Sequence, residues 1–213
     1  DTLRMKSMAN LTVDELLELI DKCTDQRMFA MYEAIARGVT LEKLHEITKI
    51  DYFFLHKYLN LYNMECRLKE GNIDAETYLR AKKMGYPDKA IERLSGEKVP
   101  MHRDPVYKMV DTCAAEFAAE TPYFYATYDD ENEAKEFLDE RPKKPCVVVL
   151  GSGPIRIGQG IEFDYASVHC VWMLKQAGYD VVMINNNPET VSTDFDTADR
   201  LYFEPLTAAD VLG

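Results

Sequence analysis

The chain has 213 residues, of which 46% are hydrophobic and 29% are charged, proportions typical of one or two folded domains. Its formal net charge of −12 argues against nucleic acid as the main partner, because binding to phosphates needs clustered positive charge. The sequence lacks the run of about 18 apolar residues that a transmembrane helix requires. The first residues contain neither an initiator Met nor an apolar signal-peptide core, so we expect a piece of a longer protein without membrane contact.

Cysteine and histidine are too dispersed to indicate a disulfide framework or a metal site. The five cysteines are separated by irregular intervals without a CxxC pair, and the four histidines are equally scattered. We therefore expect reduced thiols, a cytoplasmic location and no metal ligands. The cysteines are Cys23, Cys66, Cys113, Cys146 and Cys170.

A change in sequence character predicts a domain boundary at residues 139–145. This segment is charged, contains Pro142 and Pro145, and has no apolar periodicity, all of which is typical of a linker. Residues 1–138 have helical patterns, whereas a β-branched strand pattern begins at Cys146. The predicted organisation is a helical domain over residues 1–138, a linker over 139–145 and a second domain over 146–213.

Helix-start signals recur through the first domain. Thr12 with Glu15 predicts a capping box, and Thr40 and Asp51 are suited to cap further helices. No strand-like alternation persists in residues 1–138, so we predict an all-helical domain of short helices. Other helices are predicted at residues 26–37, 75–84, 88–94 and 110–120.

Two similar turns, at Gly38 and Gly85, leave a DNA-binding interpretation open. In each turn a glycine that ends one helix is followed closely by a short helix, as in a helix-turn-helix motif. However, residues 41–49 contain two Glu and two Lys, and a recognition helix needs a basic flank. A helical packing or scaffold domain is favoured over DNA binding.

The second domain has the pattern of a parallel βαβ unit. Residues 146–150 form a β-branched strand, a glycine-rich loop follows, and an amphipathic helix over residues 165–178 leads to a second strand at 180–184. A third strand is predicted at residues 201–204, and a helix begins at Thr207. We expect parallel strands with a right-handed crossover, in a partial Rossmann-like fold. The predicted fold class is therefore α + α/β.

The glycine-rich loop fails two common tests for a nucleotide site. Gly151 and Gly153 fit the first two glycines of GxGxxG, but Arg156 replaces the third, and the second strand ends in Asn185 rather than an acid. The P-loop pattern also fails, because Gln159 follows Gly158 where that motif requires Lys.

Polar groups nevertheless collect where the two strands end. Arg156 and Glu162 follow the first strand and Glu189 follows the second, at the edge where doubly wound sheets bind ligands. Residues 151–160 include four glycines, which let backbone N–H groups approach an anion, and Arg156 suits a planar carboxylate. Two interpretations remain open: a site for a small anionic or polar compound, or a tight turn closed by a salt bridge between Arg156 and Glu162.

Long segments of the chain resemble a known family. The segments VVVLGSGPIRIGQGIEFDY and NNNPETVSTDFDTADRLYFEPLT resemble the opening of a synthetase half in the large subunit of carbamoyl phosphate synthase. Upstream, YKMVDTCAAEFAAETPYFYATYDDENEA resembles the segment that precedes the second half. The helical residues before it resemble the oligomerization domain of the family. The second domain would therefore be the truncated start of the pre-ATP-grasp subdomain of the second half.

The resemblance implies a role in substrate passage. In this family the first half makes carbamate from bicarbonate, ATP and glutamine-derived ammonia, and the second half phosphorylates the carbamate, which arrives through an internal tunnel. By resemblance, Arg156, Gly158, Gly160, Glu162 and Glu189 border that tunnel where it enters the second half.

The resemblance also implies what the chain leaves to other parts of the enzyme. It assigns no catalytic or cofactor-binding residue here, and ATP with magnesium or manganese would bind elsewhere in an intact enzyme. Expected partners are the glutaminase small subunit, the remainder of the large subunit and further copies bound through the helical domain. The chain alone is expected to be inactive. The alternative is a free-standing helical interaction protein with a borrowed βα fold of nucleotide type.

Overall fold

The computed structural model describes residues 3–117, 121–139, 141, 143–155, 158–187 and 190–212. These residues form two compact units, Asp1–His102 (unit 1) and Arg103–Gly213 (unit 2). None of the helices in the described residues combines the length and the apolarity needed to cross a membrane.

Unit 1 consists of helices, four of which begin with a side chain that caps the first turn. The Thr12 hydroxyl accepts a hydrogen bond from the Glu15 backbone N–H at 3.2 Å, and the Glu15 carboxylate accepts one from the Thr12 N–H at 2.7 Å. This reciprocal pair confirms the predicted capping box. Thr40 and Asp51 also cap helices, as predicted. After a 3-10 turn at Lys6–Met8, the helices are α1 Val13–Asp21, α2 Arg27–Ala36, α3 Leu41–Thr48, α4 Tyr52–Lys69, α5 Ala75–Lys83 and α6 Asp88–Ser95.

Two apolar clusters stabilise unit 1, and the long helix α4 contributes to both. Leu55, near the start of α4, packs in the first cluster with Leu16 of α1. Leu68, near the end of α4, packs in the second cluster with Tyr78 of α5 and Ile91 of α6. All five side chains are fully buried, so helices that are too short to be stable alone are held by tertiary packing.

The described residues of unit 2 form a five-stranded mixed sheet with helices. The elements are β1 Val106–Met109, β2 Tyr123–Thr127, α7 Glu133–Asp139, β3 Cys146–Leu150, α8 Gly160–Gln176, β4 Asp180–Ile184, β5 Arg200–Tyr202 and α9 Ala208–Leu212, with a 3-10 turn at Val191–Thr193. The strand order is β1-β2-β5-β4-β3, in which β1 and β2 are antiparallel and the other neighbouring pairs are parallel. Val171 of α8 packs on Val181, Met183 and Leu201 of the sheet.

The structure confirms the α + α/β fold class and corrects the interpretation of residues 103–138. The prediction that residues 1–138 are all helical is wrong there, because β1 and β2 join the sheet. The helix predicted over 110–120 is also wrong: residues 110–117 form bends and turns, and residues 118–120 lie outside the described part. The compact units divide between His102 and Arg103 rather than at residues 139–145.

The reason for this difference is long-range pairing. β2 pairs with β5, with Tyr123 opposite Leu201 and Phe124 opposite Tyr202. The Phe124 and Tyr202 rings stack at 5.3 Å between centroids, and the Tyr107 ring meets Tyr202 edge-on at 5.0 Å. Strands of four and five residues contain too few alternations to be distinguished from a helix segment by periodicity.

Candidate functional site

The candidate site lies where the parallel strands β3 and β4 end. Leu150 of β3 pairs with Ile184 of β4, so the residues that follow them, Gly151 and Asn185, emerge side by side. The backbone N–H of Gly151 donates to the Ile184 carbonyl at 2.9 Å, which extends the pairing by one residue. This is the edge at which parallel α/β sheets place their ligands.

The buried side chain of Asn185 connects the two loops at this edge. It is only 2% exposed. Its Oδ1 accepts hydrogen bonds from the backbone N–H of Gly153 at 3.1 Å and of Asn186 at 3.0 Å, while its Nδ2 donates to the Ser192 hydroxyl at 3.3 Å. The loop after β3 and the loop after β4 are therefore joined through one carboxamide.

A second contact joins the loop after β4 to helix α8. The backbone N–H of Ser192 donates to the Asp164 carboxylate at 3.1 Å, and both residues are buried. Around Ser192, Thr193 donates to the Asn187 carbonyl at 3.0 Å and Thr190 donates to the same carbonyl at 3.3 Å. These bonds within the 190–193 turn give it a defined shape, as polar turn residues commonly do.

Three of the five predicted passage residues are described, and they lie together at the start of α8. Gly158 has a φ of +92°, and a Cβ there would have no atom of the described residues within 4 Å. Of those residues, a Cβ at Gly160 would meet only Ile155, whose Cδ1 would lie at 3.8 Å. Glu162 is exposed in the first turn of α8, where the helix dipole favours a negative charge.

The structure corrects where helix α8 begins, and two residues of the predicted site lie outside its described part. The helix was predicted to begin near Tyr165, but α8 begins at Gly160, so Gly160 and Glu162 belong to a helical turn rather than to an extended loop. Arg156 and Glu189 lie outside the described residues. The alternative of a salt bridge between Arg156 and Glu162 therefore stays open.

Sequence reasoning missed Asn185, Ser192 and Asp164 as a connected group. One signal was present: Asp164 shares a helical face with Val168 and Val171, at spacings of four and seven residues, which places an acid on the buried face. A buried acid needs hydrogen-bond partners, but the sequence does not say which loop supplies them.

The described basic side chains of residues 146–213 lie near the first residues of the parallel strands, at the end of the sheet opposite the candidate site. Cys146, Asp180 and Arg200 are the first residues of β3, β4 and β5. The guanidinium of Arg200 pairs with the Asp180 carboxylate and lies 3.3 Å from the Cys146 sulfur. Lys175, near the end of α8, donates to the Thr197 carbonyl at 3.1 Å. Among the described residues of 146–213, Lys175 and Arg200 are the two basic side chains, and both make structural contacts away from the candidate site.

The described part of the candidate edge is rich in neutral polar groups. It offers backbone N–H groups, amides, hydroxyls and the exposed carboxylate of Glu162. Among the described residues, no three His, Cys, Asp or Glu side chains are grouped so that they could hold a metal ion. Backbone N–H groups and hydroxyls of this kind can contact a small polar compound.

The chain is thus a helical unit followed by an α/β unit with a glycine-rich loop after strand β3. Residues 1–109 match the family model for the carbamoyl-phosphate synthetase large chain, oligomerisation domain. Residues 143–213 match the model for the carbamoyl phosphate synthase preATP-grasp domain. The chain belongs to the carbamoyl phosphate synthetase large-chain family, which confirms the resemblance found in its sequence.

Proposed function

We propose that the chain provides two functions to a glutamine-dependent carbamoyl phosphate synthase: association with other chains, and one wall of the passage that delivers carbamate to the second half. Both matched ranges belong to one synthetase family, and this favours the proposed role over that of a free-standing interaction protein. ATP and magnesium or manganese are assigned to other parts of the synthetase, together with catalysis. The glutaminase small subunit is the proposed ammonia source, and the cytoplasm the proposed location.

The observation that supports the passage is the room beside Gly160 among the described residues. An added Cβ at Gly160 would meet none of them closer than 3.8 Å, whereas the φ of +92° at Gly158 by itself favours glycine. A passage for a labile anion needs open volume with polar walls, so that the compound is neither trapped nor exposed to bulk water. Glu162, with the undescribed Arg156 and Glu189, would supply such walls.

The direct test is to narrow the passage in a complete large chain paired with its glutaminase. Gly160→Phe is expected to fold, because a Cβ at this position would lie no closer than 3.8 Å to any described neighbour. It is expected to lower the carbamoyl phosphate formed per glutamine consumed severalfold. Gly160→Ala is the matched control and is expected to keep the parent yield. An unchanged yield in a folded Gly160→Phe enzyme would contradict the passage.

The association role is supported by an aromatic surface on unit 1. Phe53 and Phe54, at the start of α4, are 60% and 57% exposed, and their rings meet edge-on at 5.3 Å. Lys57 lies over the Phe53 ring at 4.7 Å from its centroid. Adjacent exposed aromatic rings are typical of protein interfaces, where such residues are enriched.

We propose that the partner of this surface is the same surface on a second copy of the chain. Residues 41–60 contain three Lys and three acidic residues, so this segment is formally neutral in a chain whose net charge is −12. Two copies can therefore approach through this segment without the repulsion that the rest of the chain produces. A two-fold arrangement would pair each surface with itself, as in most homodimers.

A further inference from the structure

We infer that Asn185 is a positioning residue that holds Gly153 and the first turn of helix α8, the two ends of the glycine-rich stretch. This inference rests on the proposed passage, because that first turn contains Gly160 and Glu162. Asn185 itself is buried, so its effect is exerted through the backbone that it holds.

The first end of the stretch is held directly. The N–H of Gly153 donates to Asn185 Oδ1 at 3.1 Å in a buried position. Gly153 has a φ of +69°, a left-handed conformation that glycine adopts without strain. The bond therefore fixes a turn that has little stiffness of its own.

The second end is held through one intermediary. Asn185 Nδ2 donates to the Ser192 hydroxyl at 3.3 Å, and the Ser192 N–H donates to the Asp164 carboxylate at 3.1 Å. Asp164 lies one helical turn after Gly160, so its carboxylate fixes the first turn of α8, which includes Glu162. A single carboxamide thus connects to both ends of the stretch.

The chemistry explains why this residue is asparagine. The position needs an acceptor for two N–H groups and, a short distance away, a donor to a hydroxyl, and a carboxamide provides both. Aspartate would keep the acceptor but lose the donor, and it would bury a charge. Alanine would leave the Gly153 N–H without its partner.

The functional test uses a complete large chain paired with its glutaminase. Asn185→Ala and Asn185→Asp are expected to lower the carbamoyl phosphate formed per glutamine consumed severalfold. Formation of ATP from carbamoyl phosphate and ADP, the reverse of the second-half reaction, is expected to stay near the parent rate because it does not use the passage. Asn186→Ala is the matched control, since the neighbouring asparagine is exposed and contributes only its backbone N–H to the group.

The structural readout uses amide hydrogen exchange in the 213-residue chain. Asn185→Ala is expected to accelerate exchange at Gly153 and Ser192 while leaving the amides of β4 protected. If Asn185→Ala prevents folding, Ser192→Ala removes the link to α8 with a smaller change and takes its place.

The outcomes separate this inference from the proposed function. If Gly160→Phe lowers the yield per glutamine but the Asn185 variants do not, Asn185 is not a positioning residue and the passage stands. If neither lowers it, the passage itself is refuted. If the Asn185 variants lower the reverse reaction as strongly as the yield, Asn185 stabilises the fold in general and the inference is overturned.

Discussion

A Cβ atom built on Gly151 would lie 2.4 Å from Cγ of Asn185. In sequence, Gly151 fits the first glycine of a dinucleotide-binding motif. In the structure, the absence of a side chain at Gly151 leaves space for the Asn185 carboxamide, which lies at the end of the neighbouring strand.

Gly151→Ala is therefore expected to destabilise the chain by about 1–3 kcal/mol, since an overpacked core must shift side chains or backbone. Chemical denaturation of the 213-residue chain measures the effect. Gly160→Ala is the control, because a Cβ there is in ordinary contact at 3.8 Å. Equal stability of the two variants would show that Asn185 can move aside at little cost.

Glu204 is expected to make the stability of unit 2 depend on pH. It is 7% exposed, and burial raises the pKa of its carboxyl above the ordinary value of 4.5, although the Ala126 N–H donates to it. A raised pKa means that the folded state binds the proton more tightly, so stability falls as the pH rises from 4.5 through the folded pKa.

Glu204→Gln keeps an oxygen that can accept the hydrogen bond from the Ala126 N–H, but it removes the charge. The stability of the variant is therefore expected not to fall in this way as the pH rises. At neutral pH the variant is expected to be more stable than the parent. Thermal unfolding across the acidic-to-neutral range is the measurement. The control is Glu136→Gln, on the exposed face of α7. Parallel pH profiles for the parent and Glu204→Gln would contradict the prediction.

Asp88 is expected to stabilise unit 1 as a charged group. Burial would raise the pKa of its carboxyl, but hydrogen bonds from Lys82 at 2.9 Å, His102 at 3.1 Å and Tyr78 at 3.0 Å outweigh burial and lower the pKa below 3.8. Asp88→Asn is expected to lower the free energy of unfolding by on the order of 2–3 kcal/mol, because Lys82, which is 8% exposed, loses the carboxylate that lies 2.9 Å from its Nζ.

The pH dependence has the opposite sign from that of Glu204. The stabilisation by Asp88 is present above pH 3.8 and is lost as the pH falls through the lowered folded pKa. The exposed control Asp25→Asn makes the same charge change. Comparing the thermal unfolding of the two variants therefore separates the effect of the Lys82–Asp88 ion pair on stability from the effect of net charge. An equal loss of thermal stability in both variants would show that net charge alone explains the effect, which would contradict the prediction.

Phe53→Ser combined with Phe54→Ser is expected to weaken self-association of the 213-residue chain, because the paired surface loses its aromatic contacts. Size-exclusion chromatography with light scattering over a concentration series measures the mass. Phe195→Ser, at an exposed ring in unit 2, is the control. A parent chain that stays monomeric at high concentration would count against the association role.

The 213-residue chain is expected to show no tight ATP binding in calorimetry, because the nucleotide is assigned to other parts of the synthetase. The control is a complete large chain under the same conditions. A clear binding isotherm for the short chain would place a nucleotide site within it and would require a different assignment of roles.

Local signals in the sequence were sufficient for much of this protein. The capping box of Thr12 and Glu15 involves residues three positions apart, and the strands Cys146–Leu150 and Asp180–Ile184 are β-branched runs bounded by turn residues. In each case the interactions that decide the structure lie within a few residues along the chain, where propensity and periodicity are informative. The family also follows from such contiguous motifs.

The strands β1 and β2 and the network around Asn185 depend on contacts that form only in the folded chain. Tyr123 pairs with Leu201, and Ser192 contacts Asp164, across separations that no local pattern encodes. A short segment becomes a strand, and a buried amide finds its partners, only when the chain closes and every buried polar group must be satisfied. Local patterns therefore predicted the family, most helices and the strands of the βαβ unit, whereas the folded chain was needed to identify β1, β2 and the residues that join the two loops at the candidate site.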